Sequence, residues 1–503
     1  MKSLLLTLLF LGIGIPGNAE DKEPEKKPAD EKAPEKPVEL VDQAIVTDHV
    51  GVFGGSELPY YATAGTMVIN KAEDKTKAAM FYVAYTAKGV KDPATRPIVF
   101  CFNGGPGSSG VWLHLGGFGP KRVAMKPDGT MPAPPFTLAD NPASLLRVAD
   151  LVFIDPVSTG FSRVEDKEKA GEFHGFEGDL DSMAEFIRLY TTREGRWLSP
   201  KFLAGESYGS LRAAALAQVL HQKFGLYLNG IVLVSGVLNF ETLFDTDTAA
   251  VAFLPAMSEV AAYHEQLGPD LMADAAARRA EVEAFASGDY ATALLRGTAL
   301  PAEEKTALAE RIARYTSIDP TTVERHDLRI PPSFFQEELL REKGLVIGRF
   351  DARITGTDGV RAGIAPEYDP SYAAVYGPFS ATLNDYLRRD LKFESDLVYE
   401  ILSSRVRPWN YGDDFVGQPI SVLDRLAQVM SQNPSLRVLV NCGYQDLATP
   451  ATAIRHSLDH LKIDPSLRSN ISYTFYEGGH MMYTIEASNA AWNADVAKFV
   501  SGE

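Results

Sequence analysis

Three short apolar runs in the first half of the chain each break off into turn residues. Arg96–Phe102 leads into Asn103-Gly104-Gly105-Pro106-Gly107, Ala149–Ile154 into Asp155-Pro156, and Lys201–Ala204 into Gly205-Glu206-Ser207-Tyr208-Gly209. Unbroken apolar runs of this length predict strands covered on both faces, as in a parallel sheet. Between the last two runs, Asp179–Tyr190 places Leu180, Met183, Phe186, Ile187 and Tyr190 at helical spacing. Leu211–Leu220 is rich in Ala and Leu, both strong helix formers. The succession strand, helix, strand, tight turn, helix predicts an α/β architecture. Further strands are predicted at Gly230–Ser235, Arg437–Asn441 and Ile471–Tyr476, with a closing helix from about Glu486 to Val500.

The rhythm stops between about Phe240 and Arg425. That stretch holds helical segments such as Leu271–Ser287 and Thr382–Leu391 joined by proline-broken connections. It carries no motif of its own. The predicted organisation is therefore a core in two parts, residues 41–240 and 426–503, with a largely helical cap inserted over 241–425.

The N-terminus has a different pattern. Lys2 precedes Leu4–Ile15, a largely apolar run of 12 residues, and Gly17-Asn18-Ala19 follows. A positive start, a short apolar stretch and a small-residue site predict a signal peptide over 1–19, cleaved after Ala19. The run falls short of the ~20 residues that cross a bilayer, and no later segment reaches that length. Residues 20–40 are dense in Glu, Lys, Asp and Pro, predicting a solvated tether. The expected location is secreted or periplasmic.

With 503 residues, 45% of them hydrophobic, the chain can bury a large core. Its net charge of −17 argues against nucleic-acid binding through a basic face. Two cysteines, Cys101 and Cys442, exclude a disulfide scaffold and any four-cysteine metal site. Sparse cysteine in an exported protein fits a bacterial envelope better than a disulfide-making secretory pathway.

Gly205-Glu206-Ser207-Tyr208-Gly209 fits G-x-S-x-G between a buried strand and a strong helix. A serine on a sharp strand-to-helix turn needs small neighbours and is presented at the carboxyl edge of the sheet. A serine hydroxyl also needs a base. Of nine histidines, His480 stands in the loop directly after the strand Ile471–Tyr476. Asp446 follows the strand ending near Cys442, where it could orient the imidazole. The order Ser207, Asp446, His480 is that of the α/β-hydrolase fold. Two backbone N–H donors should face the developing oxyanion, and Tyr208 and Gly105 are placed to supply them. His456 and His460 stand at i, i+4 spacing but lack the glutamate of a zinc-hydrolase helix.

Together these residues resemble the serine carboxypeptidase family. The resemblance rests on Asn103–Ser109 closing at Gly119-Pro120, on Ile154–Ser162, on Gly205–Gly209 with the glutamate before the serine, and on Gly443–Pro450 with Gly479-His480-Met481. It runs in order from about Leu58 to the C-terminus. It implies an α/β-hydrolase fold and removal of a C-terminal residue from peptide substrates through an acyl-enzyme. It implies neither metal nor cofactor. It also implies that Asn103 and the Gly104 backbone bind the substrate's terminal carboxylate, with Glu206 opposite. Two carboxylates at such distance cannot both be charged, so activity is expected to favour acidic pH.

Two departures stand out. The resemblance implies a second glutamate where this chain has Gly117, which weakens the expectation of strict exopeptidase action. It implies a cysteine where Ser108 stands, and Cys101 and Cys442 are expected to be free. A secreted serine esterase or acyltransferase on the same fold is the alternative enzyme. A catalytically silent binding protein is the alternative of another class.

Overall fold

The computed structural model describes residues 40–70, 76–360, 362–412, 415 and 418–502. The expected signal peptide and the tether as far as residue 39 lie outside these residues.

The chain enters its main sheet through a long antiparallel meander, β1 (Gln43–Phe53), β2 (Ser56–Asn70) and β3 (Lys77–Ala87). No strand is predicted there from the sequence, although β3 holds an unbroken apolar run at Ala78–Tyr85. β1 is the outermost strand, and its exposed and half-buried positions alternate, as one wetted face requires. The parallel part follows: β4 (Ile98–Phe102), β5 (Asp150–Ile154), β6 (Lys201–Glu206), β7 (Gly230–Val234), β8 (Arg437–Gly443) and β9 (Ile471–Tyr476). Spatial order is β1-β2-β3-β5-β4-β6-β7-β8-β9, with Arg163–Val164 a short tenth strand beside β3. Every neighbouring pair from β5 to β9 is parallel. This is the α/β-hydrolase fold.

Strands β4 to β7 are buried at every position, which explains their unbroken apolar sequences. Period-two alternation divides their side chains between two layers. Ile98, Phe100, Phe102, Leu203, Ile231 and Leu233 pack with α1 (Phe176–Arg193) and α2 (Tyr208–Phe224). Val99, Cys101, Phe153, Phe202 and Val234 face the opposite layer.

In the long middle stretch, α3 (Asp247–Tyr263), α4 (Ala275–Phe285) and α5 (Ala302–Thr316) share an apolar cluster of their own. The helix α6 (Pro370–Arg389) instead joins the second layer of the sheet through Phe379, Leu383 and Tyr386. Two predicted helices have different limits. The segment Leu271–Ser287 is interrupted because Asp274 caps a fresh start, accepting the Ala276 and Ala277 N–H groups. The segment Thr382–Leu391 is the second half of α6, which starts at Pro370 under an Asp369 cap and carries Pro378 within it. The chain closes with α7 (Leu423–Gln432), α8 (Ala451–Asp459) and α9 (Glu486–Ser501), whose Trp492 and Val496 complete the second layer. Among the described residues, no helix is long and apolar enough to cross a membrane.

Both cysteines are buried and free, as expected. Cys101 lies on β4 and Cys442 on β8, with β6 and β7 between them in the sheet. Ser108 accepts the Trp112 indole N–H at 3.0 Å and forms a backbone bridge with Leu402.

Asp155, just past β5, is buried. Its Oδ1 accepts the Gly110 N–H at 2.8 Å and the Tyr399 O–H at 3.1 Å. Burial drives the carboxyl up to about 7, against the opposing pull of these bonds. An unfolded aspartate ionises near ~3.9. The stabilising contribution is thus complete below the unfolded value and is lost as pH rises through about 7. Asp155→Asn, which mimics the neutral form, should gain in Tm relative to wild type as pH goes from 4 to 8. Scanning calorimetry across that range checks this, and parallel Tm curves would contradict it.

Candidate active site

Four parallel strands end at the same edge of the sheet, and each is followed by one of the sequence-predicted groups. β4 runs into Asn103-Gly104-Gly105, β6 into Glu206-Ser207, β8 into Asp446 and β9 into His480. Ser207 adopts φ 60°, ψ −129°, a backbone conformation rare for a residue with a side chain. A side chain at Gly205 would collide with the Gly209 carbonyl oxygen. The Gly104 backbone lies against the same turn: a Cβ there would be 2.5 Å from the Tyr208 nitrogen. The N–H groups of Tyr208 and Gly105 have no acceptor among the described residues. Both therefore remain available to an oxyanion.

His480 and Asp446 meet directly. Nδ1 of His480 is 2.9 Å from Asp446 Oδ2. Asp446 Oδ1 accepts the backbone N–H groups of Ala448 and Thr449 at 2.7 and 2.9 Å. The buried imidazole is also stacked on the Phe350 ring, with centroids 5.2 Å apart, and the backbone N–H of His480 donates to the Phe350 carbonyl at 2.5 Å. Burial alone would lower its pKa. The charge and hydrogen bond of Asp446, with the charge of Glu206, outweigh burial and raise it, while Arg349 opposes them. The Ser207 hydroxyl is half-buried and makes no hydrogen bond to any described residue. His480 Nε2 has no hydrogen-bond partner among them either. Such a contact often tightens only once substrate is bound.

Glu206 is buried with Oε2 taking two donors: Asn103 Nδ2 at 2.8 Å and the Tyr483 hydroxyl at 2.6 Å. Oε1 has no partner among the described residues. Burial pushes this carboxyl up to about 7, opposed by His480, Tyr483 and Asn103 and reinforced by Asp446. Asn103 thus binds Glu206 directly through its side-chain amide. At Gly117, where the resemblance implies a glutamate, the structure leaves no room for a side chain. A Cβ at Gly117 would lie 2.5 Å from the Trp492 ring, and one at Gly116 would lie 2.5 Å from the Tyr483 ring.

A model of the serine carboxypeptidase family matches residues 59–316, just over half of the sequence. The chain belongs to the serine carboxypeptidase family. Among relatives in this family, the lysosomal protective protein of Mus musculus is 30% identical over 179 residues, covering 35% of this chain and 33% of that protein. Serine carboxypeptidase-like 36 of Arabidopsis thaliana is 30% identical over 192 residues, covering 37% and 36%. This chain therefore aligns with about a third of the length of these relatives. The fold extends further: Kex1(delta)p, a prohormone-processing carboxypeptidase from Saccharomyces cerevisiae, superimposes with TM-score 0.55 at 17% identity, covering 88% of this chain and 91% of that one. The family match contains Asn103, Gly104, Gly105, Glu206, Ser207 and Tyr208. Asp446 and His480 lie beyond it, so their pairing here rests on geometry.

Three neighbours of the site escape sequence reasoning. Thr449 Oγ1 lies 2.7 Å from the Ser235 carbonyl, 2.9 Å from Asp446 Oδ2 and 3.0 Å from His480 Nδ1. Tyr483 is only three residues past His480, a proximity that could have flagged it. Phe350 comes from the middle stretch and carries no motif.

Labelling with a fluorophosphonate tests this arrangement. Ser207→Ala should abolish the label, whereas a silent binding protein would not label at all. Asp446→Asn should slow labelling by about 10³–10⁴-fold through the wrong imidazole tautomer. Thr449→Val should slow it roughly three- to tenfold, the worth of one hydrogen bond.

Proposed function

We propose that this chain is a serine-type carboxypeptidase that hydrolyses the C-terminal peptide bond of peptides. The observation that carries this reading is Glu206. A buried carboxyl group beside the nucleophile, with one oxygen unpartnered, serves no purpose in general ester hydrolysis. It does serve to recognise a substrate's free carboxylate, by donating a proton to it. In this reading Ser207 attacks the scissile carbonyl and His480 takes its proton. Asp446 holds the imidazole tautomer and stabilises the imidazolium. The N–H groups of Gly105 and Tyr208 receive the oxyanion. The leaving amine takes the proton from His480, and water then releases the acyl group from Ser207. Asn103 and the Gly104 backbone bind the terminal carboxylate with Glu206.

Residues 241–425 act as the cap in this reading. A cleft of ≈ 460 Å³ is lined by Phe244, Phe253, Ile330 and Arg349 together with Leu447 and Ala448 of the Asp446 loop. It suits the acyl side of the peptide. The leader-like N-terminus and the lysosomal relative support action outside the cytosol. The filled space over Gly117 favours the second reading, an esterase or acyltransferase, because it leaves Glu206 as the single acid at the carboxylate subsite.

The two readings separate in their pH dependence. The productive form holds one proton between Glu206 and His480, and that proton sits on Glu206. As pH rises through about 7, Glu206 ionises and repels the substrate carboxylate. As pH falls below the raised pKa of His480, the base is lost. For a free-acid peptide, kcat/KM should be bell-shaped with macroscopic limits belonging to the pair. The same peptide as its C-terminal amide should lack the alkaline decline. A free-acid rate that keeps climbing above neutral pH contradicts the proposal. Equal rates on both substrates at every pH favour the esterase.

A further inference from the structure

We propose that Tyr483 is a positioning residue of the carboxylate subsite: its phenol donates to Glu206 Oε2 and thereby confines the acid proton of Glu206 to Oε1, the oxygen that meets the substrate. The inference rests on the reading of Glu206 given above and adds a residue to it.

The hydrogen-bond directions decide the matter. Asn103 Oδ1 accepts the Leu113 N–H at 3.3 Å, which leaves Nδ2 as the group facing Glu206 Oε2. The Tyr483 hydroxyl is 2.6 Å from the same oxygen and has no other partner among the described residues. Its ring is buried, and burial keeps the phenol protonated far above ordinary pH. If Glu206 carried its proton on Oε2, that proton would confront the phenol proton. Tyr483 would then have no acceptor, a costly outcome for a buried donor. With the proton on Oε1, both donors keep their bonds.

The scaffold holds the phenol in place. Tyr483 stacks on Trp492 with centroids 5.2 Å apart, and Trp492 stacks on Phe118 at 4.2 Å. These rings fill the space that side chains at 116 and 117 would need. Asn489 Nδ2 ties the Gly116 and Tyr483 carbonyls together at 3.0 and 3.2 Å. The charged and titratable groups around Glu206 are few. His480 and Asp446 reach it from the loops after β9 and β8, and Tyr483 from the turn after His480. Arg212 of α2 lies beneath Asn103, paired with Asp179 of α1 and donating to the Asn103 carbonyl. Arg349 acts on His480 from the middle stretch.

The test measures kcat/KM for a free-acid peptide divided by that for its amide, across pH 4–9, in the full chain. Dividing removes any loss of folded enzyme and any change in His480 common to both substrates. Tyr483→Phe removes a donor that favours ionised Glu206, so the midpoint of the ratio should move up by about 1 pH unit. Placing 3-fluorotyrosine at 483 makes a stronger donor and should move the midpoint down. This second change preserves the shape of the side chain and decides the matter if Tyr483→Phe fails to fold. A midpoint that stays in place with both changes, or that moves down in Tyr483→Phe, overturns the role of Tyr483 while leaving Glu206 standing. A wild-type ratio that never departs from one overturns the Glu206 reading and this inference together.

Discussion

The site depends on one turn. β6 becomes α2 through a single residue, Ser207, held at φ 60°, ψ −129°. No other connection would set a hydroxyl at the edge of the sheet, bury the preceding carboxyl and leave the following N–H without an acceptor all at once. The turn is possible because the chain on each side has no bulk to collide, and because the Gly104 backbone can lie directly against it. Strain of this kind costs of order 1–3 kcal/mol and persists only where the surroundings over-determine it. Here β4 and β7 flank β6 on both sides, and two fully buried layers leave the turn no room to relax.

The electrostatics follow from that burial. Glu206 and His480 are both sealed from water within each other's field, so neither titrates independently. Burial raises the carboxyl, and the imidazole answers with Asp446 beneath it. One proton can rest on either group, and the two placements have the same net charge but opposite chemistry. The placement on Glu206 creates a proton donor for an anion and a free base for the serine. In the proposed carboxypeptidase reading, a substrate that brings its own negative charge to Glu206 selects that placement and so couples recognition of the chain terminus to activation of the nucleophile.

The middle stretch reaches into this arrangement more than its lack of motifs suggests. Phe350 covers His480 with its ring and accepts the His480 backbone N–H. Its own N–H donates to Ser371 Oγ at 3.0 Å, at the start of α6. α6 in turn is packed into the same apolar layer as Trp492 and Tyr483. The histidine loop and the surroundings of Glu206 thus share one support, built from segments far apart in the chain.

The sequence by itself determined the parallel strands and the nucleophile turn, because both write continuous local patterns: apolar runs long enough to be buried on two faces, and small residues wherever the backbone is crowded. It also determined which aspartate and histidine follow late strands, and so which could join Ser207. In the meander, β1 and β2 were not legible, since these half-wetted strands have no long unbroken apolar run, whereas β3 carries one at Ala78–Tyr85 that only its pairing in the sheet brings out. The partners of Glu206 were not legible either. That Oε2 is taken by both Asn103 and Tyr483, that Trp492 occupies the space over Gly117, and that Phe350 faces His480 were decided only by tertiary packing. Each joins residues separated by more than a hundred positions, and no local pattern records a contact whose partners meet only after the layers close.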